Sequence, residues 1–266
     1  MVNEDSNEIL ITHNNNNNNN NLEQSQSLKW KIFHGIYSML GGICLICGSC
    51  MYFADIIRYS SMALTAGGWF LTAGSFFLLL ADFQQWWNDR IDCCSNKKSQ
   101  NIYKLTNNNL LQHSIKQNRL KNRKNAINSF LAACGSACYV IGSILLIPDF
   151  EKYANVGNKF IMIGSAIIFI SASWKIYRNG SINIKDPSDR HFHLINIVND
   201  IPTLCADICI GLGGAFYFFG VFFSPPNYDT NDFDINISAA LCVTGGSFFF
   251  LASLFLQFQY YCKHHQ

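Results

Sequence analysis

Charged side chains are absent from six long stretches of this chain, at 35–54, 62–81, 126–147, 160–174, 208–228 and 235–262. A helix crossing the hydrocarbon core needs ~20 apolar residues, and five of the stretches reach that length. The fourth reaches it when Lys159 and Lys175 snorkel outward from its ends. The pattern predicts six transmembrane helices, near 32–54, 62–84, 126–147, 156–177, from Pro202 to the Ser224-Pro225-Pro226 turn, and 235–261. Pro202 suits a helix start, because the first turn has no use for its missing N–H. Aromatic rings flank the stretches: Trp30 and Phe33 before the first, Trp86 and Trp87 after the second, Trp174 and Tyr177 at the end of the fourth. Amphipathic rings concentrate at that level of a bilayer.

The stretches group in pairs. Gly48, Gly142 and Gly220 each follow another glycine by seven residues, at Gly41, Gly135 and Gly213. The second members of the pairs align on Gly74, Gly164 and Gly246, with Gly67, Gly157 and Ala239 seven residues before. Seven residues are nearly two helical turns, so each series lies on one helix face. In lipid the hydrophobic effect no longer drives helices together, and small residues let backbones approach closely enough for dispersion to do so. Gly41, Gly48, Gly74, Gly135, Gly142, Gly164, Gly213, Gly220 and Gly246 are read as helix-packing positions; the competing reading has them line a pore. The expected fold is all-α: an integral membrane protein of six transmembrane helices, built as three tandem helical hairpins. Each hairpin starts and ends on the same side, which makes the copies parallel repeats about an axis along the membrane normal.

Charge distribution orders the rest of the 266 residues. Residues 1–28 are polar and acidic and hold eight consecutive asparagines, Asn14 to Asn21; such a segment cannot form a packed core and is expected to be disordered. No apolar stretch follows Met1 closely enough to make a cleavable signal peptide. Hairpin repeats are expected at 29–87, 126–178 and 201–262, with a basic linker at 88–125, a second linker at 179–200 and a C-terminal tail at 263–266. The 88–125 linker carries nine Lys or Arg against Asp89 and Asp92. Its Leu110–Lys124 portion can form a basic amphipathic helix lying on anionic lipid; the plainer reading, a solvated loop, is preferred. Of 19 Lys and Arg, only Arg58, Lys152 and Lys159 fall in the three hairpin turns, leaving 16 in the tails and linkers. That bias predicts cytoplasmic termini and linkers.

Candidate chemistry is sparse. Cys44, Cys47 and Cys50 have spacing that suits iron–sulfur ligation in a loop, but they sit inside an apolar helix, where cysteine behaves as a small hydrophobe. Cys93 and Cys94 lie just beyond the second helix and are candidates for palmitoylation. His191 and His193 form an H-x-H pair without further ligands. Asp82 and Asp207 are the ionisable residues nearest the apolar spans, and the sequence reading assigns neither a basic partner inside the bilayer. Asp55, Asp149 and Asn227 align at the opposite helix ends and are read as helix-end solvation rather than a cation site. No Walker A loop, GxSxG elbow, HExxH or dinucleotide fingerprint occurs. The expectation is a non-enzymatic chain without cofactor, metal or nucleic acid, in contact with the lipid bilayer and with a membrane partner or a second copy.

The unit Gly-x6-Gly-Ser, a turn, and an apolar run with a second Gly-Ser resembles the YrhK-like domain, a two-helix membrane module. Gly135, Gly142-Ser143 and Gly164-Ser165 carry the resemblance most fully. Gly41, Gly48-Ser49 and Gly74-Ser75 follow it, and the third copy departs at Val221 while keeping Gly246-Ser247. The resemblance implies an architecture and no activity. The signature of the mitochondrial carriers, another three-hairpin family, is absent. The leading expectation is a structural or interaction protein whose helices pack with each other or a partner; the alternative is a small-solute or ion transporter or channel using the axis between the repeats.

Overall fold

The computed structural model describes residues 30–60, 62–103, 109–181, 201–224 and 232–264; the N-terminal tail, His191, His193 and Asn227 lie outside them. The described residues are helical, without a strand. Six helices are long and apolar enough to cross a membrane, in spans of 21–29 residues with mean hydropathy 1.5–2.0. They are α1 (Trp30–Cys50), α3 (Ala63–Tyr103), α4 (Asn109–Leu145), α5 (Ala154–Gly180), α6 (Ile201–Phe222) and α7 (Asp232–His264). A short α2 (Ala54–Tyr59) stands where the sequence predicts only a tight turn. A 3-10 helix at Pro148–Tyr153 joins α4 to α5. Only 33–44% of each spanning window is buried inside the protein. Outward rings and chains such as Phe76, Ile163 and Phe219 are about half exposed, an arrangement suited to lipid. The chain is an all-helical, multi-pass membrane protein.

The 88–125 segment corrects the sequence reading. It is not a loop for most of its length, because α3 continues to Tyr103 and α4 begins at Asn109. No Gly or Pro interrupts 88–125, and its many Lys, Arg, Gln and Leu are good helix formers. The side chains of 92–103 and 109–122, Cys93 and Cys94 among them, lie outside the described ones.

Glycines bring the helices together two at a time. A Cβ on Gly41 would stand 3.1 Å from the Gly74 carbonyl oxygen, and one on Gly74 would stand 2.9 Å from that of Gly41. Gly135 and Gly164 approach reciprocally at 3.1 and 2.7 Å. Seven residues further, a Cβ on Gly142 would lie 2.8 Å from the Gly157 oxygen, and one on Gly67 3.2 Å from that of Gly48. Stepping seven forward on one helix and seven back on its neighbour is the register antiparallel helices require. In the third pair the register differs by one from the sequence alignment. Gly213 approaches Gly245 at 3.1 Å, and Gly220 meets Ser238, whose Oγ donates to the Gly220 carbonyl at 2.7 Å. Gly246 packs instead against Ile46 of α1. The double glycine offered two alignments, and the preceding residue, Ser238 rather than Ala239, completes the contact.

Other close approaches tie the pairs to one another. Gly68 meets Ile147, Gly214 meets Ser165, and Gly42 meets Phe250, so α3 touches the turn that follows α4, α6 touches α5, and α1 touches α7. At the turn end Arg58 pairs with Asp232 at 2.6 Å, and Asn236 Oδ1 accepts the Ala54 N–H at 3.0 Å. The interior is built from Leu45, Leu71, Leu78, Tyr139, Ile161, Ile168, Tyr217, Val221 and Phe249. Intrahelical hydroxyls are satisfied locally, as apolar surroundings demand: Ser75, Ser165 and Ser253 each donate to the carbonyl four residues back.

Candidate functional site

All six spanning helices contribute to a cavity of about 280 Å³ between their linker-end halves, the ends from which α3 and α4 continue into the linker. Its apolar floor is Leu78, Ile168, Ile210 and Phe249. Its walls are polar. α3 presents Asp82, Gln85 and Asp89; α5 presents Ser171, Lys175 and Arg178; α6 presents Thr203 and Asp207. One water needs only ~10–15 Å³, so the chamber has room for a solute of several heavy atoms.

The two carboxylates noted in the sequence both face this chamber, and the structure corrects the expectation that they lack basic partners. Asp207 is 2% exposed, and its Oδ1 takes Lys175 Nζ at 2.6 Å. Lys175, expected only to snorkel from a helix end, turns inward to meet it. A buried pair repays its desolvation only when its remaining hydrogen-bonding positions are filled. Here they are not: among the described residues Asp207 Oδ2 has no hydrogen-bond partner. Arg178, one turn beyond Lys175, leaves Nε and Nη1 unfilled, and Asn125 leaves Oδ1 unfilled.

The α3–α4 wall is laddered. Ser136 donates to Asp82 and Ser129 donates to Asp89, two rungs seven residues apart on each helix. Gln85 also donates to Asp89, at 3.2 Å. On the α1 side His34 Nδ1 donates to the Ala81 carbonyl at 3.1 Å, which places its proton on that nitrogen. Ser38 and Ser253 share a hydrogen bond of 2.8 Å between α1 and α7, and Gln259 donates to Thr203 between α7 and α6.

Below the floor the axis is shut. Leu45, Tyr139, Tyr217 and Phe249 are at most 4% exposed, and Tyr139 and Tyr217 meet edge-on with centroids 5.6 Å apart. Ser165 spends its proton on the Ile161 carbonyl, so Tyr139 Oη–H donates to Ser165 Oγ, at 2.7 Å. Tyr217 Oη shares a hydrogen bond of 3.0 Å with Ser49. Past this plug a smaller cavity of about 60 Å³ lies toward the turn end, bordered by Tyr52, Asn158 and Ser238.

The other sequence candidates do not converge on the chamber. The helix-packing glycines Gly41, Gly48, Gly74, Gly135, Gly142, Gly164, Gly213, Gly220 and Gly246 sit at the helix contacts already described. Cys44, Cys47 and Cys50 are free thiols on α1, and among the described residues no three His, Cys, Asp or Glu come together to hold a metal. Fold and site together define a multi-pass helical membrane protein with a charged chamber at one end and a closed aromatic plug beneath it. No protein-family model, curated protein or solved structure matches this chain.

Proposed function

We propose that this protein is a non-enzymatic carrier of a small polar solute, poised here with its binding chamber open toward the linker end and shut toward the turn end. The observation that carries the proposal is Asp207: a carboxylate 2% exposed, set among membrane helices, with one oxygen left unfilled beside a cavity of about 280 Å³. An ionisable group at membrane depth is costly and marks substrate pathways. A protein built only to pack has no use for it. Two cavities separated by a plug held through the Tyr139–Ser165 and Tyr217–Ser49 hydroxyl pairs suit a gate that exchanges one opening for the other.

Three further expectations from the sequence support this reading as its frame. The recurring glycine contacts at Gly41–Gly74, Gly135–Gly164 and Gly213–Gly245 support three tandem hairpins, the architecture the YrhK-like resemblance implies. Transporter folds built from repeats place their sites at repeat interfaces near mid-membrane. The 16-to-3 distribution of Lys and Arg favours the cytoplasmic side for the linker end, and so for the chamber. The purely structural reading, with a membrane protein or a second copy as partner, draws on the packed plug. The test is exchange in proteoliposomes holding a mixture of small polar solutes, read by mass spectrometry. Protein-dependent exchange of at least one solute, lost in Asp207→Asn, is the expected result. Identical solute retention in empty and protein-bearing vesicles would leave the structural reading in place.

A further inference from the structure

We infer that the chamber's ligand is a small zwitterion, carrying a protonated amine and a carboxylate, of amino-acid size. This deepens the solute-carrier reading and rests on it. The unfilled atoms on side chains that line the chamber come in two complementary kinds on consecutive helices. Asn125 Oδ1 on α4 and Asp207 Oδ2 on α6 are acceptors; Arg178 Nε and Nη1 on α5, between them in the chain, are donors. An ammonium group supplies the N–H bonds the two acceptors lack. A carboxylate takes a charge-assisted N–H···O bond from the unfilled Nη1 of the Arg178 guanidinium.

Charge narrows the class further. Asp82, Asp89 and Asp207 against Lys175 and Arg178 leave the chamber with a formal charge of −3 + 2 = −1, His34 being neutral. A simple anion meets the wrong net sign. A simple cation satisfies the acceptors but leaves the Arg178 donors unfilled. A bare metal ion finds its carboxylates dispersed along the wall, and no group of three ligands gathers among the described residues. A neutral amide fills both kinds of atom, but without the charge-assisted bonds that are roughly twice as strong. The floor of Leu78, Ile168, Ile210 and Phe249 receives the aliphatic part of the ligand.

The test is the unfolding midpoint of the full chain in detergent with single added probes: glycine, L-alanine, β-alanine and γ-aminobutyrate against propylamine, propionate and propionamide. At a hundredfold excess over its dissociation constant, at least one of the four zwitterions is expected to raise the midpoint by roughly 5–10 °C. The three single-function probes should raise it by less than a quarter of that. Arg178→Gln, which removes the charged donor, and Asp207→Asn should each weaken zwitterion binding at least tenfold. Any variant with an altered ligand-free midpoint is judged by isotope binding at a temperature where it stays folded. An equal shift from propylamine, propionate or propionamide overturns the zwitterion and leaves the carrier reading standing. No shift or binding from any probe overturns the zwitterion, and the proteoliposome exchange assay then decides the carrier reading separately.

Discussion

Replacing Gly164 with alanine adds one methyl group, and the structure says where it goes. That Cβ would lie 2.7 Å from the Gly135 carbonyl oxygen, 3.0 Å from a Tyr139 ring carbon and 3.1 Å from Cys138 Cβ. The nearest obstacle is backbone, which cannot rotate aside, so α4 and α5 must separate by roughly half an ångström. A gap of that size forfeits about a quarter of the dispersion energy of the contacts it opens, and overpacking of this kind costs roughly 1–3 kcal/mol. Alanine returns about 1 kcal/mol as the better helix former, leaving a net loss of up to about 2 kcal/mol. Gly211 supplies the control. A Cβ there meets Ala172 Cβ at 3.5 Å and a Phe169 ring carbon at 4.0 Å, both ordinary contacts. Gly211→Ala therefore keeps the propensity gain without the clash. Measured as midpoints in detergent, the first variant should fall by up to roughly 8 °C and the second should hold or rise by up to about 4 °C. The reasoning fails if Gly164→Ala matches the wild type, or if Gly211→Ala falls as far as Gly164→Ala.

The two ion pairs should separate in the same assay. Lys175→Met strands the buried Asp207 carboxylate and is expected to cost roughly 3–5 kcal/mol, whereas Arg58→Ala opens a pair whose side chains are 67% and 44% exposed and should cost at most about 1 kcal/mol; equal losses would refute the assigned burial. Tyr217→Phe should lose about 1 kcal/mol through its bond to Ser49, with a non-additive double variant alongside Ser49→Ala, and strictly additive losses would show that the two hydroxyls do not communicate. A tag at the C-terminus and one in the 88–125 linker should be reached from the same, cytoplasmic side, and a tag in the 224–236 turn from the other; a C-terminal tag reached only from the turn side contradicts the charge-derived orientation.

How much of this was readable in the sequence follows from what each feature depends on. The six spans come from local composition, and charge-free stretches announce them directly. Gly41 and Gly135 signal their contacts because a seven-residue step is local to one helix. The third hairpin slipped by one residue because Gly245 and Gly246 are adjacent, and only contact with Gly213 decides between them. The chamber was half visible. Asp82 and Asp207 stood out, yet their partners Ser136 and Lys175 are 54 and 32 residues away. A partial signal did exist: Asp82 and Asp89 repeat at seven on α3 while Ser129 and Ser136 repeat at seven on α4, as two rungs between antiparallel helices require. Lys175 and Arg178, three apart, share a face in the same way. Whether those faces turn toward lipid or toward the axis depends on helix rotation, which no local pattern determines.

The central claim, a wet chamber shut at its inner end, is tested most directly by cysteine accessibility. Ser171→Cys on the chamber wall and Ser165→Cys at the plug are placed in a background whose native cysteines are replaced by serine or alanine and whose elution in detergent is unchanged. A membrane-impermeant thiol reagent is then applied from each side of sealed vesicles. The account predicts that Cys at 171 reacts only from the side carrying the α3–α4 linker, and that Cys at 165, where Ser165 is 0% exposed, reacts from neither. A residue 171 thiol that resists the reagent from both sides, or a residue 165 thiol that reacts readily from either, would contradict it.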